Sequence, residues 1–301
     1  MPTGFDPSFL DAPCPLPVPS GRGTDDRARR IRHLDYTHFT VLLDADRRLA
    51  ALTAVNIDGS TLVDVPRGDD WHLDERVPAD EQAGPAVYAR NDLDRGHLVR
   101  RRDPVWGAPD VARRANADTF AYTNAAPQAA GFNQSKELWN GVEDHVLAYA
   151  EGNGLRLSVF TGPVFAQTDA LYRGVRIPER FWKIAAWTTG GVPMTSSAAS
   201  IGTAAGTVTI PRLRAAGFLL DQSPQLGDLD LDLDDARASA RARAEPPPLG
   251  PFRTFQAPIA DIAALADTPM PDLVAADSYL APLRAAGRRW TRLDSLAQIR
   301  L

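Results

Sequence analysis

Two apolar, β-prone runs lie at hairpin distance early in the chain, and they restrict the fold more than any other feature. Residues 38–43 and 49–57 are rich in Val, Leu, Ile, Thr and Ala, and Asp44-Ala45-Asp46-Arg47-Arg48 between them makes a turn. Runs of this kind joined by a short polar link pair as antiparallel strands, and Asp58-Gly59 closes the pair. Similar runs follow. Residues 119–123 read as a strand, and 155–160 alternate as one until Gly162-Pro163 stops it. Residues 181–187, 207–210 and 216–220 read as three more.

Helical signals are fewer. Residues 112–118 suit a short helix. Leu138, Trp139, Val142, Val146, Leu147 and Tyr149 recur at helical spacing, which predicts a helix over 135–151, ended by Gly152 and Gly154. Residues 258–265 suit a short helix, and Trp290, Leu293, Leu296 and Ile299 suit a last one. The fold class is therefore α+β, a mostly antiparallel β-sheet with flanking helices. With 301 residues, 44% of them apolar, the chain can bury a sizeable core.

Composition shifts mark the organisation. Residues 1–35 form an extended N-terminal arm, rich in Pro and Gly at its start, with a basic face from Arg27 to Arg32 that reads as solvated. Residues 36–222 make the core. Residues 223–251 alternate Asp with Leu and then Arg with Ala before Pro246-Pro247-Pro248, and read as a flexible acidic, Pro-rich linker. Residues 252–301 form a C-terminal helical extension packing on the core. Within the core, 61–90 is a long polar loop holding Arg67, Trp71 and His72. Loops of such length are usually functional or disordered, and its Arg and Trp favour function. Trp71 and His72 read as packing for that loop, and Trp182 and Trp187 as strand core. The stretch 190–206, rich in Ala, Ser, Thr and Gly, has no clear assignment.

Several classes drop out. The single cysteine, Cys14, excludes an intramolecular disulfide, and there is no CxxC, P-loop or dinucleotide glycine pattern. No run approaches a membrane span, and the first residues lack the pattern of a secretory signal, so the expected location is the cytoplasm. The formal net charge is -5, so a polyanionic partner would need a local basic patch.

Such a patch surrounds Asp94-Arg95-Gly96-His97, where a turn-permitting glycine stands beside a histidine and Arg95, Arg100, Arg101 and Arg102 crowd around both. Histidine is the side chain best suited to take a proton near neutral pH, and clustered arginine favours phosphate. Phosphodiester hydrolysis needs a base for water, a cation for the phosphorane and leaving oxygen, and positive groups to hold the phosphate. His97 is a candidate base. Asn133 is a candidate oxygen ligand for Mg²⁺, with a helix N-cap as its alternative role. Asp94 reads as fixing its own turn rather than binding metal.

The order of Asp-Arg-Gly-His at 94–97, Asn-Ala-Ala-Pro-Gln at 124–128, Phe-Asn-Gln at 132–134, Trp139, Glu143 and Thr-Gly-Pro-Val-Phe at 161–165 resembles the DNA/RNA non-specific endonuclease family. These are sugar-non-specific nucleases, endonuclease G among them, with a ββα-metal or His-Me finger core. The resemblance covers about 36–222. It implies His97 as general base, Asn133 as the sole protein ligand of Mg²⁺ (Mn²⁺ as substitute), and Arg95 supporting the phosphate. It further implies Arg67 offsetting developing charge, Glu143 ordering metal-bound water, and Asn124 supporting the site. Asn133 and Trp139 stand six apart, against four in better-known members, which reads as a two-residue insertion; the Trp-to-Glu spacing of four keeps Glu143 in its role, with Glu137 as the alternative.

The implied activity is Mg²⁺-dependent endonucleolysis of DNA and RNA, bound through the phosphate backbone, leaving 5′-phosphate ends. An inactive nuclease-like binding or structural module and a phosphodiesterase for small nucleotides are the alternatives. A nuclease inside a cell also implies an inhibitor or regulatory protein, and some members form homodimers.

Overall fold

The structure is a computed structural model that describes residues 4–21, 28–129, 151–152, 154–194, 208–223, 253–279, 290–293 and 298–299. Its centre is an eight-stranded antiparallel sheet in the order β1 (Ile31–Tyr36), β2 (Phe39–Asp44), β3 (Leu49–Asp58), β6 (Arg156–Val164), β9 (Arg180–Met194), β10 (Val208–Asp221), β11 (Arg253–Ala257) and β12 (Thr291–Leu293). Two small antiparallel pairs flank it, β4 (Leu93–His97) with β5 (Ala125–Ala129), and β7 (Ala170–Tyr172) with β8 (Val175–Ile177). The short helices α1 (Pro85–Tyr88), α2 (Pro109–Asp118), α3 (Ile259–Leu265) and α4 (Pro271–Ala275), with 3-10 turns at Ala79–Glu81 and Tyr122–Asn124, lie between and after the strands. No helix among the described residues is long and apolar enough to cross a membrane.

The α+β expectation holds, and the first hairpin forms as β2–β3 across the 44–48 turn. The central strands are buried on both faces. Val41, Val55, Val159, Ala185 and Phe218 point to one side, where Leu98, Val99, Ala121 and Ala126 of the flanking layer cover them. Leu42, Leu52, Phe160, Trp182 and Leu219 point to the other, under Phe5, Leu10 and Cys14 of the N-terminal segment and Ile259, Ile262 and Leu273 of α3 and α4. Two covered faces explain why these strands read as continuous apolar runs instead of alternating ones. Trp182 is fully buried and Trp187 nearly so, as expected of strand core.

Several local expectations change. Residues 119–123 are not a strand: a 3-10 turn spans Tyr122–Asn124, and β5 starts only at Ala125. β6 runs through Gly162 and Pro163 instead of stopping there. A Cβ at Gly162 would stand 2.5 Å from the Ala51 carbonyl oxygen and 3.0 Å from the Trp182 ring. Pairing with β3 ends at Thr161, so Pro163 lies where only β9 still pairs with the strand. The two runs at 207–210 and 216–220 belong to one strand, β10, irregular between Ile210 and Arg212.

The ends of the chain also differ from expectation. The arm drawn over 1–35 includes most of β1, paired to β2 from Ile31↔Asp44 onward. The basic face is only partly solvated. Arg29 is buried, with 4% of its side chain exposed, and Arg30 and Arg32 both donate to Glu81. The C-terminal stretch is not wholly helical: β11 and β12 extend the main sheet, and the helix expected around Trp290 and Leu293 is replaced there by β12. Nearly all of the expected linker, and the unassigned stretch from 195 to 206, lie outside the described residues.

Candidate active site

The β4–β5 pair carries the motif. Its register runs from Leu93↔Ala129 to His97↔Ala125 and sets Asp94 opposite Gln128. Gly96 serves close approach within a strand and not a turn, because the buried Gln128 side chain lies over it. A Cβ at Gly96 would meet Gln128 Oε1 at 2.0 Å and Cδ at 2.1 Å. Beyond His97 the chain leaves the pair through a neck held by Asn124, which is completely buried. Its Oδ1 accepts from the Val99 N–H at 2.8 Å, and its Nδ2 donates to the Val99 and Thr119 carbonyls at 2.9 and 3.0 Å. The Leu98 N–H donates to the Asn124 carbonyl at 2.9 Å. Asn124 therefore acts on the backbone next to His97 and has no free edge for a ligand.

His97 is half-buried between rings. Trp71 is tilted against it at 4.8 Å between centroids, and Phe120 meets it edge-on at 5.2 Å. Its Nε2 is buried and has no hydrogen-bond partner among the described residues. Burial pushes the imidazole pKa down to about 3, reinforced by the positive charges of Arg67, Arg101, Arg95 and Arg100 in falling order. The ring is thus neutral at pH 7 and can accept a proton. Four nearby guanidiniums repel a cation at this nitrogen and attract an anion beside it, which suits a base better than a metal ligand.

The arginines come from two segments brought together. Arg95 sets its guanidinium over the Trp71 ring at 5.3 Å from the centroid. Arg67 and Trp71 belong to the long 61–90 loop, and backbone bonds hold that loop to the site. Val63 N–H donates to Val105 O at 2.9 Å, His72 N–H to Phe120 O at 3.1 Å, and Tyr122 N–H to His72 O at 2.9 Å. Arg101 Nη1 donates to the Val65 carbonyl at 2.8 Å and to Asn116 Oδ1 at 3.0 Å. Arg101 therefore secures the loop two residues before Arg67, which is exposed.

The structure places His97, Arg95 and Arg67 together, with Asn124 behind them. Asn133, Glu143, Glu137 and Trp139 lie outside the described residues, as does the helix expected over 135–151 except at its end. Among the described residues no group of three or more His, Cys, Asp or Glu could hold a metal ion. Trp71 has a larger part than loop packing, since it touches both Arg95 and His97. Tyr88 was not foreseen at all. It stacks on Tyr122 at 6.0 Å, and its buried hydroxyl, with no partner among the described residues, has its pKa raised by burial. The aromatic residues of an otherwise polar loop were the only signal for either. His72 is exposed and bonds the Asp70 carbonyl through Nδ1.

A family model described as DNA/RNA non-specific endonuclease matches residues 25–268. The chain belongs to this family. A curated relative, the uncharacterized protein y4fB of Sinorhizobium fredii (strain NBRC 101917 / NGR234), is 36% identical over 309 aligned positions covering 93% of this chain. This chain spans only 40% of that relative. Among solved structures, a chain of the EndoG/EndoGI complex, determined to explain EndoG inhibition, superposes with a TM-score of 0.52 at 16% identity, over 81% of this chain and 86% of that one. At that identity the likeness concerns the fold, and it agrees with the antiparallel α+β architecture. The matched region includes every strand except β12 and all of the His97 surroundings.

Proposed function

We propose that the protein is a metal-dependent endonuclease that hydrolyses phosphodiester bonds of DNA and RNA by the His-Me finger mechanism. The observation that carries this is His97, a neutral imidazole with a buried, unpartnered Nε2 among four arginine charges, in a chain of the DNA/RNA non-specific endonuclease family. A phosphodiester drawn to Arg67, Arg95, Arg100 and Arg101 would bring its negative charge against His97. That charge raises the basicity of the imidazole when substrate is present. Nε2 then takes a proton from the attacking water, and Arg67 and Arg95 offset the charge growing on the phosphorus oxygens. Trp71 and Phe120 exclude bulk water from the ring.

Mg²⁺, or Mn²⁺ in its place, would be held by the Asn133 amide oxygen with Glu143 ordering its water, and supplies charge stabilisation at the phosphorane and the leaving 3′-oxygen. Oxygen donors of this kind suit a hard cation. The products would carry 5′-phosphate ends. Contacts made to phosphate and not to base edges account for indifference to sequence. An inhibitor protein that restrains the enzyme, and a homodimer, belong to the same proposal, as does a place in the cytoplasm.

The test is direct. Purified protein is incubated with plasmid DNA and with RNA, with Mg²⁺ and then with excess chelator, beside His97→Ala. The wild type is expected to cut both substrates, chelator to stop it, and His97→Ala to lose roughly 10²–10⁴-fold in rate. A wild type that cuts neither substrate would defeat the proposal, and a His97→Ala variant with full activity would remove the base.

A further inference from the structure

Beside the His97 site stands a buried hydroxyl that the chemistry above does not use. Tyr88, the last residue of α1, stacks on Tyr122 with 6.0 Å between centroids and 24° between planes. Tyr122 lies 5.6 Å from Trp71, and Trp71 lies 4.8 Å from His97. Four rings, from α1, the 122–124 turn, the long loop and β4, thus run in series to the candidate base. Arg95 sits over the third of them, 5.3 Å from the Trp71 centroid. Tyr88, Trp71, Arg95 and His97 are each partly exposed, so the series reaches solvent along most of its length.

Three polar groups along this series lack protein partners. The Arg95 guanidinium makes no hydrogen bond or ion pair among the described residues. His97 Nε2 and Tyr88 Oη are buried and unbonded among them. Burial, and then the neighbouring Tyr122 phenol, raise the Tyr88 pKa against the pull of the Arg95 charge. The hydroxyl therefore stays protonated and is a donor. The Arg95 charge acts on this hydroxyl and on the His97 ring alike, so Arg95 is close to both orphaned atoms. A buried hydroxyl without an acceptor costs stability, and a phenylalanine in its place would avoid that cost. The acceptor that suits a cation and a neutral donor side by side is an anionic oxygen.

We infer that Tyr88 is a further substrate-binding residue of the nuclease site, its hydroxyl donating to a non-bridging oxygen of the phosphodiester that Arg95 holds. The inference rests on the nuclease reading of that site. Four guanidiniums already depress the basicity of His97. A hydroxyl adds a contact to phosphate without a further positive charge, so it leaves the base unimpaired. Stacking on Tyr122 fixes the ring that carries it. Substrate reaches the covered atoms by side-chain rotation, which is common on binding.

The experiment compares binding of a duplex oligonucleotide, by fluorescence anisotropy in chelator, to the full chain carrying His97→Ala and to the same chain with Tyr88→Phe added. The second change removes one unbonded hydroxyl, so Tm should hold or rise while Kd rises about tenfold. With Arg95→Gln also present, the same change should cost less than about twofold, because the oxygen is no longer held in place. On plasmid DNA with Mg²⁺, Tyr88→Phe alone should lower kcat/KM by about tenfold. Equal binding with and without the hydroxyl overturns the inference. So does a weakening that comes with a fall in Tm, which makes Tyr88 structural. An equal weakening with and without Arg95 overturns it too, since the hydroxyl then serves another group. Weaker binding in Tyr88→Phe beside a wild type that cuts neither DNA nor RNA would defeat the nuclease reading and still support Tyr88 as a phosphate-binding residue.

Discussion

His97 is neutral because of where it sits, and that has a consequence for stability as well as for chemistry. Its pKa is pushed down to about 3 in the folded chain, against an ordinary value of 6.5. Between those values the unfolded chain binds a proton that the folded chain does not, so stability falls as pH falls from 6.5 toward 3. From pH 7 to pH 5 the loss from this one group is about 2 kcal/mol, at about 1.4 kcal/mol per pH unit below 6.5. Urea unfolding at the two pH values is expected to show that wild type loses more stability than His97→Asn does. Equal losses in the two proteins would mean that His97 is not held neutral by the fold.

The long loop is the element that completes the site. It contributes Arg67 and Trp71, and it is tied down at Val63, Val65 and His72 by bonds to residues far along the chain. Trp71 joins the two halves, because one ring touches both Arg95 and His97. Trp71→Ala is expected to admit water to the imidazole, raise its pKa toward 6.5 and misplace Arg95, with a loss of roughly 10–100-fold in kcat/KM. Trp71→Phe keeps an aromatic face and should retain most of the activity. NMR titration of His97 beside the kinetics separates the cases: a purely structural Trp71 would leave the His97 titration unmoved while lowering Tm. The β4–β5 pair is the fixed half of the site, since Asn124 and the Gly96–Gln128 contact allow it little freedom.

For the molecule as a whole, the net charge of -5 and the local cluster of arginines make opposite demands on a polyanion. Attraction must come from a few residues at short range, while the remainder repels. Four arginine–phosphate contacts give an expected slope of about -3.6 in log affinity against log salt on duplex DNA. Raising monovalent salt from about 50 to about 200 mM should therefore weaken binding of an oligonucleotide duplex to His97→Ala roughly 100-fold. Fluorescence anisotropy measures this, and an affinity indifferent to salt would count against the arginine groove.

The sequence alone determined the parts written in local pattern. Turn chemistry between two apolar runs is enough for the β2–β3 hairpin, and the local composition of 112–118 and 258–265 is enough for the existence of α2 and α3, though α2 starts three residues earlier, at Pro109. The motif at 94–97 and its companions downstream were enough for the family, because residue types in a fixed order need no coordinates. Tertiary structure decided what depends on partners remote in the chain. Gly162 and Pro163 look like a stop, yet they continue a strand because the Ala51 carbonyl and the Trp182 ring occupy the space a side chain would fill. Trp290 and Leu293 fit a helical spacing, yet Leu293 lies in β12 and pairs with Thr254 of β11 at the edge of the main sheet. Burial of Arg29 and the meeting of Trp71 with His97 carry no local signature at all. They arise because both faces of the sheet are covered, and what covers each face is set by contacts across the whole chain, which neither periodicity nor spacing records.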